Sequence, residues 1–326
     1  MATPAVERGQ PVMDAFVAVD WGTSNFRAFL VDAATGRCLD ETRSNSGLRN
    51  LSRAAFPGYC RQQLSDWLDA AGGHDRLPVY LAGMVGARSG WAEAPQPALP
   101  LSLRTLAAGL TPAPDFPNAW LVPGGKIVTP DHVDVMRGEE VQAFGALSLL
   151  GQTGGLCCLP GTHSKWASLH AGVMDHFTTL MTGELFHAVR CHTLPGEPVP
   201  EEDRFDLEGF ERGLAAAEHP AGVLHALFEA RSRHLHDGLA AGQVGSFLSG
   251  VLIGTELLAM ASLIESHGEV VVIGSHTLGE RYRQALGSRG IPVREVGSDA
   301  ASMAGIHLLH DIHSGAGGSL DLGPRR

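Results

Sequence analysis

Hydrophobic positions fall in short runs that switch between a period of two and a period near 3.6. Phe16 to Val19 predicts an apolar strand, Phe26 to Val31 a second, and Cys38 to Thr42 a third after the turn Ala34-Thr35-Gly36. From Ala54 to Ala71, Tyr59, Leu64, Trp67 and Leu68 recur at helical spacing, and Gly72-Gly73 ends the run. Val79 to Ala82 reads as a buried strand before GMVGARSGW. The proline-rich stretch from Ala94 to Pro130 predicts a connection over one face, with one short strand at Ala119 to Val122. A helix is predicted from Arg137 to Leu150, with Val141, Phe144, Gly145 and Ser148 on one stripe and Gly151 as its terminator.

The opening order then recurs. Leu156 to Leu159 predicts a strand, Gly161 to Lys165 a polar turn, Trp166 to Leu169 a strand and Ala171-Gly172 a tight turn, and a third strand reaches Leu180. This is an internal duplication readable in element order rather than in residue identity. The remainder predicts helices between Gly183 and Glu265, broken around Leu194 to Pro200. A strand at Val270 to Ile273, a glycine turn, a helix to Leu286, a strand at Val293 to Val296 and a helix from Asp299 close the chain. Residues 1–14 read as a frayed lead-in and 314–326 as a disordered tail, with an N-terminal lobe at 15–150 and a C-terminal lobe at 151–313.

Composition narrows the class. The chain is 44% hydrophobic and 18% charged, which suits a globular protein rather than a disordered one. Its net charge is −11 and it has no dense Lys/Arg tract, so neither nucleic acid nor an anionic membrane is expected as a partner. Gly, Ser or a charge interrupts every apolar stretch well before the roughly 18 residues a membrane-spanning helix needs, so none is predicted. Cys38, Cys60, Cys157, Cys158 and Cys191 form no CxxC and are odd in number, and the first residues hold no apolar signal core. A reduced, cytoplasmic setting is the expectation. Cys157 and Cys158 lie on a predicted buried strand and read as inert core.

The candidate chemistry sits in the turns. Asp20 ends an apolar strand and is followed by WGTSN, whose backbone amides and hydroxyls can wrap phosphate oxygens. The carboxylate would not touch phosphate itself and would hold a magnesium ion through water. By itself Asp20 also fits an Asx turn at a strand end. LPGTHSKW and VVVIGSHTLG are two further small-residue turns after apolar strands, and they favour the phosphate reading.

With Asp20, Gly22, Thr23 and Arg27 matching a DxGTxxxR pattern, the chain resembles the acetate and sugar kinase, Hsp70 and actin superfamily. Gly161, Thr162 and Ser164 match a second phosphate motif, and Ile273, Gly274 and Ser275 an adenosine motif. AVDWGTSNFRAFL, LAGMVGARSGW, VMRGEEVQAFGAL, LPGTHSKW, LMTGELFHAV and FLSGVLIGTEL together resemble the 2-dehydro-3-deoxygalactonokinases, over most of the chain from Phe16 to about His310. The resemblance implies an α/β, two-lobed actin-like ATPase (ribonuclease H-like) fold, with a duplicated mixed sheet flanked by helices and a central nucleotide cleft. It also implies ATP and Mg2+ as cofactors and phosphorylation of the terminal (6-) hydroxyl of 2-dehydro-3-deoxy-D-galactonate. The alternatives are a kinase for another sugar or keto sugar acid, such as 2-keto-3-deoxygluconate, or a non-catalytic nucleotide-binding sensor of sugar acids. The partner is then a small sugar acid, and a homodimer stays open.

Roles follow from that resemblance. Asp20 is the magnesium ligand, Gly22, Thr23, Ser24 and Asn25 form the first phosphate cradle, and Arg27 reaches the phosphates or else points outward from an edge strand. Gly161, Thr162, His163 and Ser164 form the opposing cradle with Lys165 as its cation, and Gly274 and Ser275 meet the adenosine. Glu139, beside Gly138, takes the place of an acid that is Asp in related sugar kinases, and would be the base, with Glu140 and Asp134 in reserve. Its side chain is one methylene longer, about 1.5 Å. Arg137 is expected on the inward stripe of its helix, facing either the substrate carboxylate or Glu184. Met84, Arg88, Ser89 and Trp91 are candidates for the substrate wall, as are Gly183 and Glu184 at a strand-to-helix junction.

Overall fold

The period-two runs become two sheets built to one plan. A computed structural model describes residues 14–315 apart from 74 and 203, so the frayed lead-in except for residue 14, and the tail beyond residue 315, lie outside the described residues. The first half contains β1 (Ala15–Trp21), β2 (Phe26–Asp32), β3 (Cys38–Ser44), α1 (Phe56–Ala70), β4 (Val79–Ala82), β5 (Leu101–Ser102), α2 (Leu103–Ala108), β6 (Thr111–Pro112), β7 (Ala119–Leu121), β8 (Gly125–Val128), β9 (Val133–Met136) and α3 (Glu139–Leu149). The second contains β10 (Gly155–Leu159), β11 (Ser164–His170), β12 (Val173–Leu180), α4 (Thr182–His192), α5 (Leu207–Ala216), α6 (Val223–His236), α7 (Ala241–Ala259), α8 (Ala261–His267), β13 (Val270–Gly274), α9 (His276–Gly287), β14 (Val293–Gly297) and α10 (Ser298–Ser314).

Among the described residues the sheet orders are β3-β2-β1-β4-β7-β6 and β14-β13-β10-β11-β12-β5. In each, the first hairpin is antiparallel, and the strand on its other side, β4 or β13, runs parallel to the hairpin's first strand. The duplication expected from element order is therefore present in the strand pairing as well.

Facing rows of the two sheets share one core with α3 and α10. Phe16, Ala18, Phe29 and Val31 enter it from the first sheet, and Cys157, Leu159, Ala167 and Leu169 from the second. Both faces of these strands are covered, which is why they read as continuous apolar runs. Gly145 of α3 and Gly305 of α10 bring the two helices to backbone contact, since a Cβ on Gly305 would stand 2.1 Å from the Val141 carbonyl oxygen. On the outer faces, Phe56, Leu64 and Leu68 of α1 cover the first sheet, while Phe210, Ile253 and Tyr282 cover the second.

Four expectations need correction. The proline-rich stretch is more than a surface excursion: Leu101, Leu103, Leu106, Phe116 and Leu121 are buried, and β5 pairs with β12 on the second sheet. Arg137 precedes α3, because Gly138 breaks the helical run with a φ of +107°. One helix among the described residues, α7, is long and apolar enough to cross a membrane, because Gly and Ser interrupt an apolar run without adding charge. Most of its residues are buried, including Gly250, where a Cβ would stand 2.2 Å from the Phe210 carbonyl oxygen of α5. The last helix also runs through Ser314, where the tail had been expected to begin.

Candidate active site

Strand alternation aims the first hairpin. In β1 the even positions Phe16 and Ala18 face the shared core while Val17, Val19 and Trp21 face α1. Asp20 continues the even row past the end of the core and lines a cleft of about 750 Å³ between the two sheets. Opposite it in register, Arg27 shares its row with Phe29 and Val31, so it too faces the cleft rather than outward. Its guanidinium lies 3.1 Å from Asp299 and 3.7 Å from Asp20. Burial pushes the Asp20 carboxyl up to about 6; Arg27 pulls it down, and the charges of Glu139 and Asp299 push it up. The carboxylate keeps 23% of its side-chain surface accessible at the cleft.

Between these strands the WGTSN turn is held from behind. Carbonyls of Gly22, Thr23 and Ser24 accept from the amides of Leu48, Arg49 and Gly47 at 3.1, 3.2 and 3.0 Å. With its carbonyls engaged there, the turn presents Gly22, Thr23 and Asn25 to the cleft, while Ser24 is exposed outside the lining.

The second hairpin faces the first. Gly161, Thr162 and His163 line the opposite wall, and Gly274, Ser275 and Leu278 at the entry of α9 continue it. In β11, Lys165 shares the row of Ala167 and Leu169 and reaches the cleft. Ser164, Trp166 and Ser168 take the other row, so the Ser164 side chain turns away from the expected cradle and meets the Tyr282 hydroxyl at 3.0 Å. Gly183 and Glu184 support this hairpin from outside the cleft lining. The Glu184 amide donates to the Thr162 carbonyl at 2.8 Å, and its carboxylate meets His163 at 2.7 Å.

The cleft floor comes from the start of α3. Gly138 approaches Gly83 so closely that a Cβ on it would stand 3.0 Å from the Gly83 Cα, and both have positive φ, which glycine alone adopts without strain. This contact joins the end of β4 to the turn before α3. Glu139 then lines the cleft, with Oε2 accepting from the Arg137 amide at 3.0 Å and Oε1 4.0 Å from the Lys165 Nζ. Glu140 points inward, fully buried, and accepts from the Gly138 amide; burial pushes its carboxyl up to about 8. Asp134 accepts from the amide and hydroxyl of Thr179 and ties β9 to β12. Neither reserve acid is therefore placed like Glu139.

Arg137 lines the same floor. Its Nη2 donates to the Ala94 carbonyl at 3.0 Å, while Nη1 is buried with no hydrogen-bond partner among the described residues. Glu184, the protein acid that could have held it, is engaged with His163 on the other wall. Met84 and Arg88 line the cleft, whereas Ser89 is exposed outside the lining. Trp91 is a core residue, 3% exposed and ringed by Trp21, Phe56 and Phe116. An aromatic in a loop offered no period from which to tell a core position from a wall.

Sequence reasoning also missed Gln142, Gln96 and Glu93, which line the cleft, and Asp299, which pairs with both Arg27 and Arg43. An acid opening the last helix was the available signal for Asp299.

Two opposed small-residue turns, a cation on each wall and the carboxylates of Asp20 and Glu139 in one cleft suit phosphoryl transfer. A family model described as 2-keto-3-deoxy-galactonokinase matches residues 20–309. The chain belongs to that family. It is a sugar-acid kinase, a phosphotransferase with the actin-like ATPase fold. It is 34% identical to the 2-dehydro-3-deoxygalactonokinase of Escherichia coli K12 over 294 residues, 90% of this chain and 97% of that one. A solved Sinorhizobium meliloti protein described as a candidate 2-dehydro-3-deoxygalactonokinase is 38% identical, with a TM-score of 0.81 over 91% of this chain and 98% of its own. Component A of the (R)-2-hydroxyglutaryl-CoA dehydratase of Acidaminococcus fermentans shares the kinase's fold at 12% identity, with a TM-score of 0.54 over 93% and 99% of the two chains.

Proposed function

We propose that this kinase transfers the γ-phosphoryl group of ATP to the 6-hydroxyl of 2-dehydro-3-deoxy-D-galactonate, in galactonate catabolism. The observation that carries the acid substrate is Arg137, a guanidinium on the cleft floor whose Nη1 is buried with no hydrogen-bond partner among the described residues. A buried guanidinium nitrogen without an acceptor is costly, and a substrate carboxylate would satisfy it.

Glu139 is the base. It accepts the proton as the substrate oxygen forms its bond to the γ-phosphorus, while the bond from that phosphorus to the bridging oxygen breaks and its electron pair leaves with ADP. The hydrogen bond from the Arg137 amide fixes one carboxylate oxygen of Glu139 and so aims the other. Arg27 and Lys165 supply fixed positive charge to the phosphates from the two walls. Gly22 and Thr23 cradle the phosphates on one side and Gly161 and Thr162 on the other, with adenosine at Gly274 and Ser275.

Magnesium fits the donor set, because Asp20 is a hard carboxylate at the cleft and such an ion keeps most of its waters. When bound it would neutralise charge on the β- and γ-phosphates. Asp20 would hold it, and the raised carboxyl of Asp20 gains a counter-charge in return.

ADP release with magnesium and ATP tests the assignment against 2-keto-3-deoxygalactonate, 2-keto-3-deoxygluconate, galactonate, glucose and no acceptor. Turnover confined to the first compound supports it. Turnover confined to another acid moves the substrate, and ATP binding without turnover on any acceptor makes the chain a sensor.

A further inference from the structure

Glu256 lies on α7 at 1% exposure, outside the cleft lining, and no step of the reaction calls on it. Its Oε1 accepts from the Trp166 indole at 2.7 Å, and its Oε2 from the Tyr282 hydroxyl at 2.9 Å and from the Thr182 hydroxyl. With the Tyr282 proton on Glu256, the Ser164 hydroxyl donates to the Tyr282 oxygen at 3.0 Å. One buried carboxylate thus gathers β11, α4 and α9 onto α7.

Two of those elements carry walls of the nucleotide cleft. Ser164 and Trp166 flank Lys165, so Lys165 reaches the cleft from a strand whose neighbouring side chains are both tied, on the opposite face, to the Glu256 network. Tyr282 stands on the helix that begins just after Gly274 and Ser275. We infer that Glu256 is a positioning residue for ATP, locking the second phosphate hairpin and the start of α9 at the spacing the nucleotide requires. The inference rests on the nucleotide assignment above. Burial pushes the Glu256 carboxyl up, and the hydrogen bonds it accepts offset this only in part. An amide there keeps the Trp166 contact only by turning its NH2 toward the Tyr282 and Thr182 hydroxyls, which must then accept where they now donate, so the link from Tyr282 to Ser164 is reversed.

The test compares wild type, Glu256→Gln and Tyr282→Phe by calorimetric titration with magnesium-ATP, steady-state kinetics and melting temperature. Glu256→Gln should raise the Kd and KM for ATP about tenfold while the sugar-acid KM stays within about twofold, with Tyr282→Phe shifting the same constants less. A purely structural role would lower the melting temperature and the active fraction and leave both affinities alone, so a folded Glu256→Gln with wild-type ATP affinity overturns the inference. Equal rises in both KM values overturn it too. If Glu256→Gln does not fold, Tyr282→Phe decides: a weaker ATP Kd supports the lock, and an unchanged one overturns it. The wild-type arm separates the two ideas. Wild type that binds no ATP brings down the nucleotide assignment and the lock with it, whereas wild type that binds ATP yet phosphorylates no acid removes only the substrate, and the ATP constants still judge Glu256.

Discussion

The two cleft hairpins share strand order and pairing but are held in place by different means. The first, between β1 and β2, is backed by main chain: the segment from Gly47 to Arg49 donates to its carbonyls. Its side chains Asp20 and Arg27 line the cleft. The second, between β10 and β11, is anchored by side chains on its outer row, Ser164 and Trp166, that end on the Glu256 network. One row of β11 is spent on architecture, and from the other Lys165 reaches the cleft. A duplicated element is thus held in two ways, the first copy by main chain with a carboxylate at the cleft, the second by buried side chains.

Substitutions can break or sharpen that difference. The largest effect is expected at the floor between the hairpins, where Glu139→Gln should cut kcat on the order of 1000-fold with ATP affinity retained. Unchanged turnover, measured by ADP release, would remove Glu139 as the base. Arg137→Ala should come next, raising the sugar-acid KM roughly 10- to 100-fold while leaving the ATP KM alone. Comparable losses for both substrates would make Arg137 a structural residue and tie the floor to both hairpins.

Two glycines then probe the hairpins separately. A Cβ on Gly47 would stand 2.4 Å from the Thr23 carbonyl oxygen, and one on Gly183 would stand 2.3 Å from that of Gly161, so each alanine must displace one hairpin's backbone. Gly47→Ala should lower kcat about tenfold through Asp20 and Arg27, and Gly183→Ala should raise the ATP KM by about the same factor. Identical kinetic signatures for the two would erase the distinction between the two hairpins.

The smallest effect concerns stability. Glu140 is held near 8 in the folded protein against an ordinary value of 4.5. The folded chain keeps this proton after the unfolded chain has lost it. The stability attached to it is therefore full below about 4.5 and is lost as pH rises through about 8. Glu140→Gln should gain melting temperature relative to wild type as pH rises across that window, levelling off above it. A pH-independent difference would show that Glu140 is not the buried, protonated neighbour of Glu139.

The sequence by itself determined the main strands and helices and their duplicated order, because strand and helix periods are local properties of neighbouring residues; the short strands β5, β6, β8 and β9 and the helix α2 were not read from it. It also located the three turns, since a small polar run after an apolar strand is visible without knowing what lies opposite. Arg27 and Ser164 mark where local reading stopped: Arg27 sits on a correctly placed strand and Ser164, expected in a turn, opens β11, and which row faces the cleft depends on which faces of β2 and β11 the shared core covers. The tertiary structure alone decided that Trp91 belongs to an aromatic core, that Glu184 serves His163 and leaves Arg137 Nη1 without a partner among the described residues, and that Asp299 returns to Arg27. It alone assembled Glu256 with Trp166 and Tyr282. Those partners are far apart in the chain, and no period carries a contact between residues whose meeting is settled only when two sheets and the helices over them pack together.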